Sequence, residues 1–217
     1  KASKPRQRRF LAKQSDNVPV LKSIDVSVIV STWKAAAFVQ RAIRSAFDSE
    51  GITVELIAVD DASPDTTFDA LKHLAAKDPR ITAKPFARNS GPSAARNLAI
   101  ETARGRYVAI LDADDAMRPE RLAKLVALAD RTEADIVVDN MIEVDEAGQP
   151  IGSEPFLKSP DFSVSRDIDL LTWIRFNNPM TGGDTLGYLK PLIRRSTLQR
   201  TGVAYDTSLR NSEDYYL

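Results

Sequence analysis

Tyr107-Val108-Ala109-Ile110-Leu111-Asp112-Ala113-Asp114-Asp115 carries an apolar run straight into three carboxylates within four positions. A short apolar run bounded by polar residues reads as a buried strand whose carboxyl end bears the chemistry. On an extended backbone Asp112 and Asp114 start on the same side, so the two can share one hard divalent ion through oxygen ligands. Asp also favours turns and helix N-caps, so this pattern by itself leaves a metal site and a plain turn both open.

Upstream, the same alternation of strand and helix recurs. Val26-Ser27-Val28-Ile29-Val30 is a β-branched run that predicts a buried strand, followed by a helix over residues 35–48. Val54 to Val59 predicts a second strand ending at Asp60-Asp61, and Ser63-Pro64-Asp65 supplies an N-cap and an N1 proline for a helix through Ala76. Ile81 to Phe86 predicts a third strand, Asn89-Ser90-Gly91-Pro92-Ser93 a turn, and Ala94 to Thr102 a helix. Gly105 separates that helix from the strand at 107–111.

Downstream of the carboxylates, Leu122, Leu125, Val126 and Leu128 space a helix after Pro119. Asp135 to Asp139 predicts a fifth strand, and Asp145-Glu146-Ala147-Gly148 a turn that folds the chain back as a hairpin. Further on come a loop over 151–165, a helix from Asp167 to Phe176, a second loop from Asn177 to Gly187, a late strand from Leu189 to Arg194 and a helix beginning near Ser212.

Strands alternating with helices in this way predict an α/β fold with an open, mostly parallel sheet and right-handed crossovers, ending in a small antiparallel extension in the C-terminal third. Such sheets bind ligands outside the carboxyl ends of their strands. Three of those ends are polar: Ser31-Thr32-Trp33, Asp60-Asp61 and Asp112 to Asp115. The topology therefore gathers three separate motifs on one rim.

Composition narrows the classes. With 217 residues the chain suits one large domain, and its 30 basic and 30 acidic residues cancel, so net charge points to no nucleic acid. The absence of cysteine excludes disulfides, thiolate metal sites and a cysteine nucleophile, and agrees with a cytoplasmic setting. No apolar run approaches the roughly 20 residues that cross a bilayer. Lys1, Lys4, Arg6, Arg8, Arg9 and Lys13 precede the first acid, Asp16, so residues 1–23 read as a basic, flexible arm. Such an arm is a solvated tail or a peripheral contact with anionic lipid at the inner face of the plasma membrane. A chain that starts at Lys1 and stops at Leu217 in mid-element reads as a fragment.

A dinucleotide site needs Gly-x-Gly-x-x-Gly after the first strand, but the segment here is Ser31-Thr32-Trp33-Lys34-Ala35-Ala36-Ala37 and the first glycine is Gly51. A P-loop is equally absent, since no glycine is followed by Lys and Ser or Thr. If the ligand carries a diphosphate, a metal on the carboxylate cluster is left to neutralise it.

Four ordered segments resemble the family 2 glycosyltransferases with a GT-A, Rossmann-like fold: Val26 to Trp33, Val59 to Thr67, Asn89 to Asn97, and Leu111 to Asp115. The likeness covers roughly residues 24–217, and within the family it is nearest to bacterial enzymes of exopolysaccharide synthesis of the succinoglycan type. It implies an inverting, metal-dependent transfer of a hexose, glucose foremost, from a UDP-sugar to a glycan or lipid-linked oligosaccharide acceptor. The nucleotide-binding half would span 24–140 and the acceptor-side half 141–217. Thr32 and Trp33 would border the nucleobase, Asp61 would accept a hydrogen bond from uracil, and Gly91 and Arg96 would lie at the nucleotide. Asp112 would face the ribose or a metal-bound water, and Asp114 would ligate Mn²⁺ or Mg²⁺, with Asp112 and Asp115 as further candidates. The late Tyr205-Asp206-x-x-Leu209 followed by Glu213-Asp214 resembles the family's acidic pair, which would make Asp214 the general base and Glu213 its support. Ser31, Trp33 and Lys34 depart from the family's common Pro, Tyr and Asn.

Two rival readings stand beside this one. The first is a domain that binds nucleotide sugar without turnover, and the second is a receiver-like signalling domain, since Val59-Asp60-Asp61 is similar to its acidic pair. A receiver carries that pair after its first strand, whereas here a strand precedes it. His73, the sole histidine, falls on the second helix away from the rim. Trp173 and Phe176, spaced i, i+3, read as core rather than as an acceptor platform. Arg96 and Asn97 are open between nucleotide contact and pinning of the carboxylate loops, and Gly182-Gly183-Asp184 between a mobile cover and a surface loop.

Overall fold

Residues alternate along each central strand so that both faces are apolar, and this makes the sheet the middle layer of three. The computed structural model describes residues 23–177 and 184–209. In it β1 (Val26–Thr32), β2 (Val54–Asp60), β3 (Ile81–Pro85) and β4 (Tyr107–Ile110) run parallel. Beyond β4 lie β5 (Ile136–Val137) and β6 (Leu192–Arg194), with β6 antiparallel to both neighbours, and the order across the sheet is β3-β2-β1-β4-β6-β5. The open parallel sheet and its antiparallel extension are those expected.

Val26, Val28, Val30, Leu56, Ala58, Tyr107 and Ala109 face one side, where they pack with Val39, Ala42 and Ile43 of α1 (Val39–Phe47), Leu71 of α2 (Thr67–Lys77), and Leu122 and Leu125 of α4 (Arg121–Thr132). The alternate residues Ile29, Ile57, Val59, Val108 and Ile110 meet Ala95 and Ala99 of α3 (Pro92–Thr102) and Leu198 of α6 (Arg195–Thr201) on the other side. A third cluster gathers Leu157, Leu186 and Leu189 with Trp173 and Phe176 of α5 (Leu170–Phe176), so both aromatics are packing residues as read from their spacing. His73 is exposed on α2.

Several boundaries differ for local reasons. The helix expected from residue 35 begins at Val39. The helix assigned to a Ser63 cap begins at Thr67, because the Ser63 hydroxyl donates instead to Asp60 Oδ1 at 2.6 Å, while Asp65 Oδ1 accepts from the Thr67 hydroxyl and backbone N–H at 2.6 and 3.1 Å. Pro92 takes the first position of α3, two residues earlier than expected, with Gly91 before it at φ 92°. The fifth strand shrinks to Ile136–Val137, since the Asp139 carboxylate is drawn off into a fork with Arg121 at 2.7 to 3.0 Å. The late strand covers Leu192–Arg194, and α6 directly after it was not expected. The 145–148 turn forms, closed by Gly148 N–H to Asp145 O at 2.9 Å beside an antiparallel bridge between Val144 and Pro150. The basic arm up to residue 22, Gly182-Gly183, and Glu213-Asp214 with the helix expected near Ser212 lie outside the described residues. Among the described residues no helix is long and apolar enough to cross a membrane.

Candidate active site

Parallel β1, β2 and β4 all end on one rim, and a cleft of about 500 Å³ opens there. Its lining includes Thr32 and Trp33 from the end of β1, Asp61 after β2, Gly91 and Arg96 at α3, and Asp112 and Asp114 after β4. These are seven of the eight described residues assigned from sequence to the donor or the metal; Asp115 is outside the lining.

Asp60 and Asp61 take opposite tasks. Asp60 is buried and accepts hydrogen bonds from the Thr32 hydroxyl (3.1 Å), the Ser63 hydroxyl (2.6 Å) and the Ser63 N–H (3.0 Å), which fixes the rim from behind. Asp61 is buried too, but its carboxylate accepts the N–H groups of Ser90 (2.6 Å) and Gly91 (2.8 Å), and its own N–H donates to Thr32 O at 2.8 Å. It thereby ties the ends of β1 and β2 to the start of α3 on the cleft wall, with lone pairs to spare.

Backbone in the left-handed region flanks this wall: Lys34 at φ 54° and Ala62 at φ 56°. Such conformations cost a non-glycine residue about 1–3 kcal/mol and persist where surrounding bonds hold them. Here the Lys34 N–H donates to Ser63 Oγ at 3.0 Å, and the Ala35 N–H to Thr67 Oγ1 at 2.8 Å. The bend turns Trp33 outward at 53% exposure, with the Lys34 ammonium 4.4 Å from its ring centroid.

Asp112, Asp114 and Asp115 do not share an extended backbone. Residues 113 and 114 form a turn closed by Asp115 N–H to Asp112 O at 3.2 Å, so the expected same-side pairing of Asp112 and Asp114 is replaced by three separate environments. Asp112 is clamped between cations: Arg96 Nη2 lies 3.2 Å from Oδ1 and Lys190 Nζ 2.7 Å from Oδ2. Burial pushes its carboxyl up, but the charges and hydrogen bonds of Lys190 and Arg96 outweigh this and hold it below the usual carboxylate range. Asp114 is exposed in the cleft, its backbone carbonyl held by Arg41 Nη2 at 2.7 Å while Arg41 Nη1 reaches Glu146 O at 3.1 Å. Partial desolvation and the charges of Asp112 and Asp114 raise the Asp115 carboxyl.

Among the described residues no three His, Asp or Glu side chains converge as a metal cage. An Mg²⁺-type ion needs none, because it is held by one or two carboxylates with water and substrate phosphates. The exposed Asp114 and Asp115 fit that pattern better than the cation-paired Asp112. Arg96 both lines the cleft and pins Asp112, with its guanidinium 5.3 Å from the Tyr205 ring centroid. Asn97 is outside the lining; its amide exchanges two 2.9 Å hydrogen bonds with the Tyr205 backbone. Asp184 accepts the N–H groups of Lys158 (2.9 Å) and Ser159 (2.6 Å), which makes it a loop clasp. Sequence reading missed Lys190 and Arg41, since each acts through a contact more than 70 residues away along the chain.

A model of glycosyl transferase family 2 matches residues 27–194. The succinoglycan biosynthesis protein ExoO of Rhizobium meliloti is 36% identical over 202 residues, covering 93% of this chain and 57% of the relative. ExoU of the same organism is 33% identical over 198 residues, covering 89% and 55%. The chain thus spans little more than half the length of these relatives. Among solved structures, S. aureus TarS 1-349 in complex with UDP aligns with a TM-score of 0.68 at 24% identity, covering 88% of this chain and 53% of that one. The mannosyltransferase PcManGT from Pyrobaculum calidifontis, in complex with GDP-Man and Mn²⁺, aligns at 0.58 and 23% identity, covering 90% and 51%.

Proposed function

This chain belongs to glycosyl transferase family 2 and has the GT-A fold, and we propose that it carries the catalytic site of an inverting, metal-dependent hexosyltransferase. In this reading a UDP-sugar, UDP-glucose foremost, donates its hexose to a glycan or lipid-linked oligosaccharide acceptor in exopolysaccharide synthesis. The observation that carries it is the single cleft lined jointly by Trp33, Asp61, Arg96 and Asp114. It offers an aromatic edge, a buried carboxylate acceptor, a cation and an exposed acid, the kinds of group that a base, a diphosphate and its metal require. ExoO and ExoU are named for succinoglycan biosynthesis, and the solved neighbours are complexes with UDP or with GDP-Man and Mn²⁺.

Residues 24–140 would form the nucleotide-binding half and 141–217 the acceptor side. Thr32 and Trp33 border the base, and Asp61 accepts its N–H. Gly91, without a side chain, lets the donor approach the start of α3. Arg96 faces the diphosphate. Asp114 ranks first as ligand of Mn²⁺ or Mg²⁺, with Asp115 and the cation-paired Asp112 behind it; the ion, when bound, offsets charge on the leaving diphosphate. Asp214, assigned from sequence, takes the acceptor hydroxyl's proton as that oxygen attacks the anomeric carbon. The bond from that carbon to the diphosphate oxygen breaks on the opposite face, which inverts the centre and releases the nucleoside diphosphate. The basic arm would serve as a peripheral membrane contact on the cytoplasmic side.

Screening UDP-sugars for UDP release with Mn²⁺ and with chelator tests this reading, together with Asp214→Asn, which keeps donor binding and loses transfer. UDP binding with no release from any UDP-sugar would favour a domain that binds without turnover.

A further inference from the structure

The polar rim does not stop at Asp112. Across the sheet the order runs β2, β1, β4, β6, so Asp61, Thr32 and Asp112 mark successive strand ends and the next element along is β6. Because β6 is antiparallel to β4, its start, not its end, lies at this rim, and Ile110 N–H donates to Pro191 O at 3.2 Å there. The residues leading into β6 therefore stand on the far side of Asp112 from the base-binding wall, where an acceptor must approach.

That lead-in is firmly built. Leu186 and Leu189 are buried in the third apolar cluster, Leu189 N–H donates to Leu186 O at 3.0 Å, and Gly187 N–H donates to the buried Asn177 Oδ1 at 2.7 Å. The Lys190 carbonyl accepts from Arg121 Nη2 at 2.6 Å. From this anchored turn Tyr188 projects with 61% of its surface exposed, its ring meeting Phe156 edge to face at 5.9 Å and 85°. Leu189 is extended, at φ −67° and ψ 143°, and is the one residue between Tyr188 and Lys190. The Lys190 ammonium reaches Asp112, and two residues of extended chain span only about 7 Å.

We infer that Tyr188 is a stacking platform for a sugar ring of the acceptor, at a subsite beside the donor cleft; this rests on the transferase reading above. One face of a hexopyranose presents C–H groups, and the exposed Tyr188 ring offers a flat apolar surface with a hydroxyl at its rim for a sugar hydroxyl. Exposure of a large aromatic from a turn whose flanking leucines are both buried is what such a platform requires.

Saturation-transfer NMR with methyl β-D-glucopyranoside, in the presence of UDP and Mg²⁺, tests it. Transfer to the sugar's ring C–H protons is expected in the unaltered protein, at least threefold weaker in Tyr188→Ala, and retained in Tyr188→Trp. No transfer to the unaltered protein, or equal transfer to Tyr188→Ala, overturns the platform. Calorimetry of UDP with Mg²⁺ on the same samples keeps the two readings apart. UDP that binds both proteins equally while the sugar signal ignores Tyr188 removes the platform and leaves the donor site standing. A protein that binds no UDP removes both.

Discussion

Lys190 Nζ sits 2.7 Å from Asp112 Oδ2 while Arg96 holds Oδ1, so the first acid of the cluster joins α3, β4 and the start of β6. Arg96 is 5% exposed, and Asp112→Asn takes one charged acceptor away from its guanidinium. Asp112→Asn is therefore expected to lower stability by about 1–3 kcal/mol, below the figure for a fully buried pair because Asp112 itself is partly solvated. Asp114→Asn, at an exposed side chain, should stay within about 0.5 kcal/mol. Urea denaturation of the two variants checks the contrast, and equal stabilities would show that the clamp contributes nothing.

The same contrast reverses for the ion. On the proposed assignment, with Asp112 compensated, Asp114→Ala is expected to lower kcat by roughly 10²–10³ and to remove any response of the rate to Mn²⁺. Calorimetric Mn²⁺ titration in the presence of UDP should lose its heat in the same variant. Normal rates of Asp114→Ala in chelator would sink the assignment.

The parallel strands were legible because a sheet covered on both faces needs mainly apolar runs, and Val26 to Val30, Val54 to Val59 and Tyr107 to Leu111 supply them, interrupted only by Ser27 and Glu55. Their polar ends meet in one cleft because parallel strands end on the same rim. β5 and β6, with two and three residues, have no periodicity to read, and their antiparallel sense is set by packing. Lys190 was hidden with them: it reaches the rim only because β6 starts there. Ser63 shows the converse failure, since its cap-like setting is overridden by a closer acceptor, Asp60.

Gly105 is fixed by approach rather than by conformation. A Cβ there would lie 2.5 Å from Ser27 N and 2.8 Å from the Val26 carbonyl carbon, both backbone atoms of β1 that cannot swing aside. Gly105→Ala is expected to cost about 1–3 kcal/mol by forcing β1 and β4 apart. A thermal midpoint unchanged in the variant would mean that the turn before β4 yields freely.

Next to that glycine lies the acid that should set the protein's sensitivity to low pH. Glu55 is buried opposite Ser27 in the β1–β2 register and accepts from the Ser27 hydroxyl (2.6 Å), the Arg104 N–H (2.8 Å) and the Arg104 guanidinium (2.6 and 2.9 Å). Burial pushes its carboxyl up, but the hydrogen bonds from Ser27 and Arg104 and the charge of Arg104 prevail, so its pKa lies below the ordinary glutamate value. A group depressed in the folded state protonates first in the unfolded chain. Its contribution is therefore complete above the unfolded pKa, near 4.3, and is lost as pH falls through the lower folded value. Glu55→Gln places an amide nitrogen against N–H donors and should cost about 1–3 kcal/mol at pH 7. The gap between the two proteins should narrow as denaturation is measured from pH 5 down to pH 3, because protonated Glu55 also faces donors with a donor. The part carried by the Arg104 side chain, 69% exposed, should weaken with added salt. A gap that stays constant from pH 7 to pH 3 would place the acid sensitivity elsewhere.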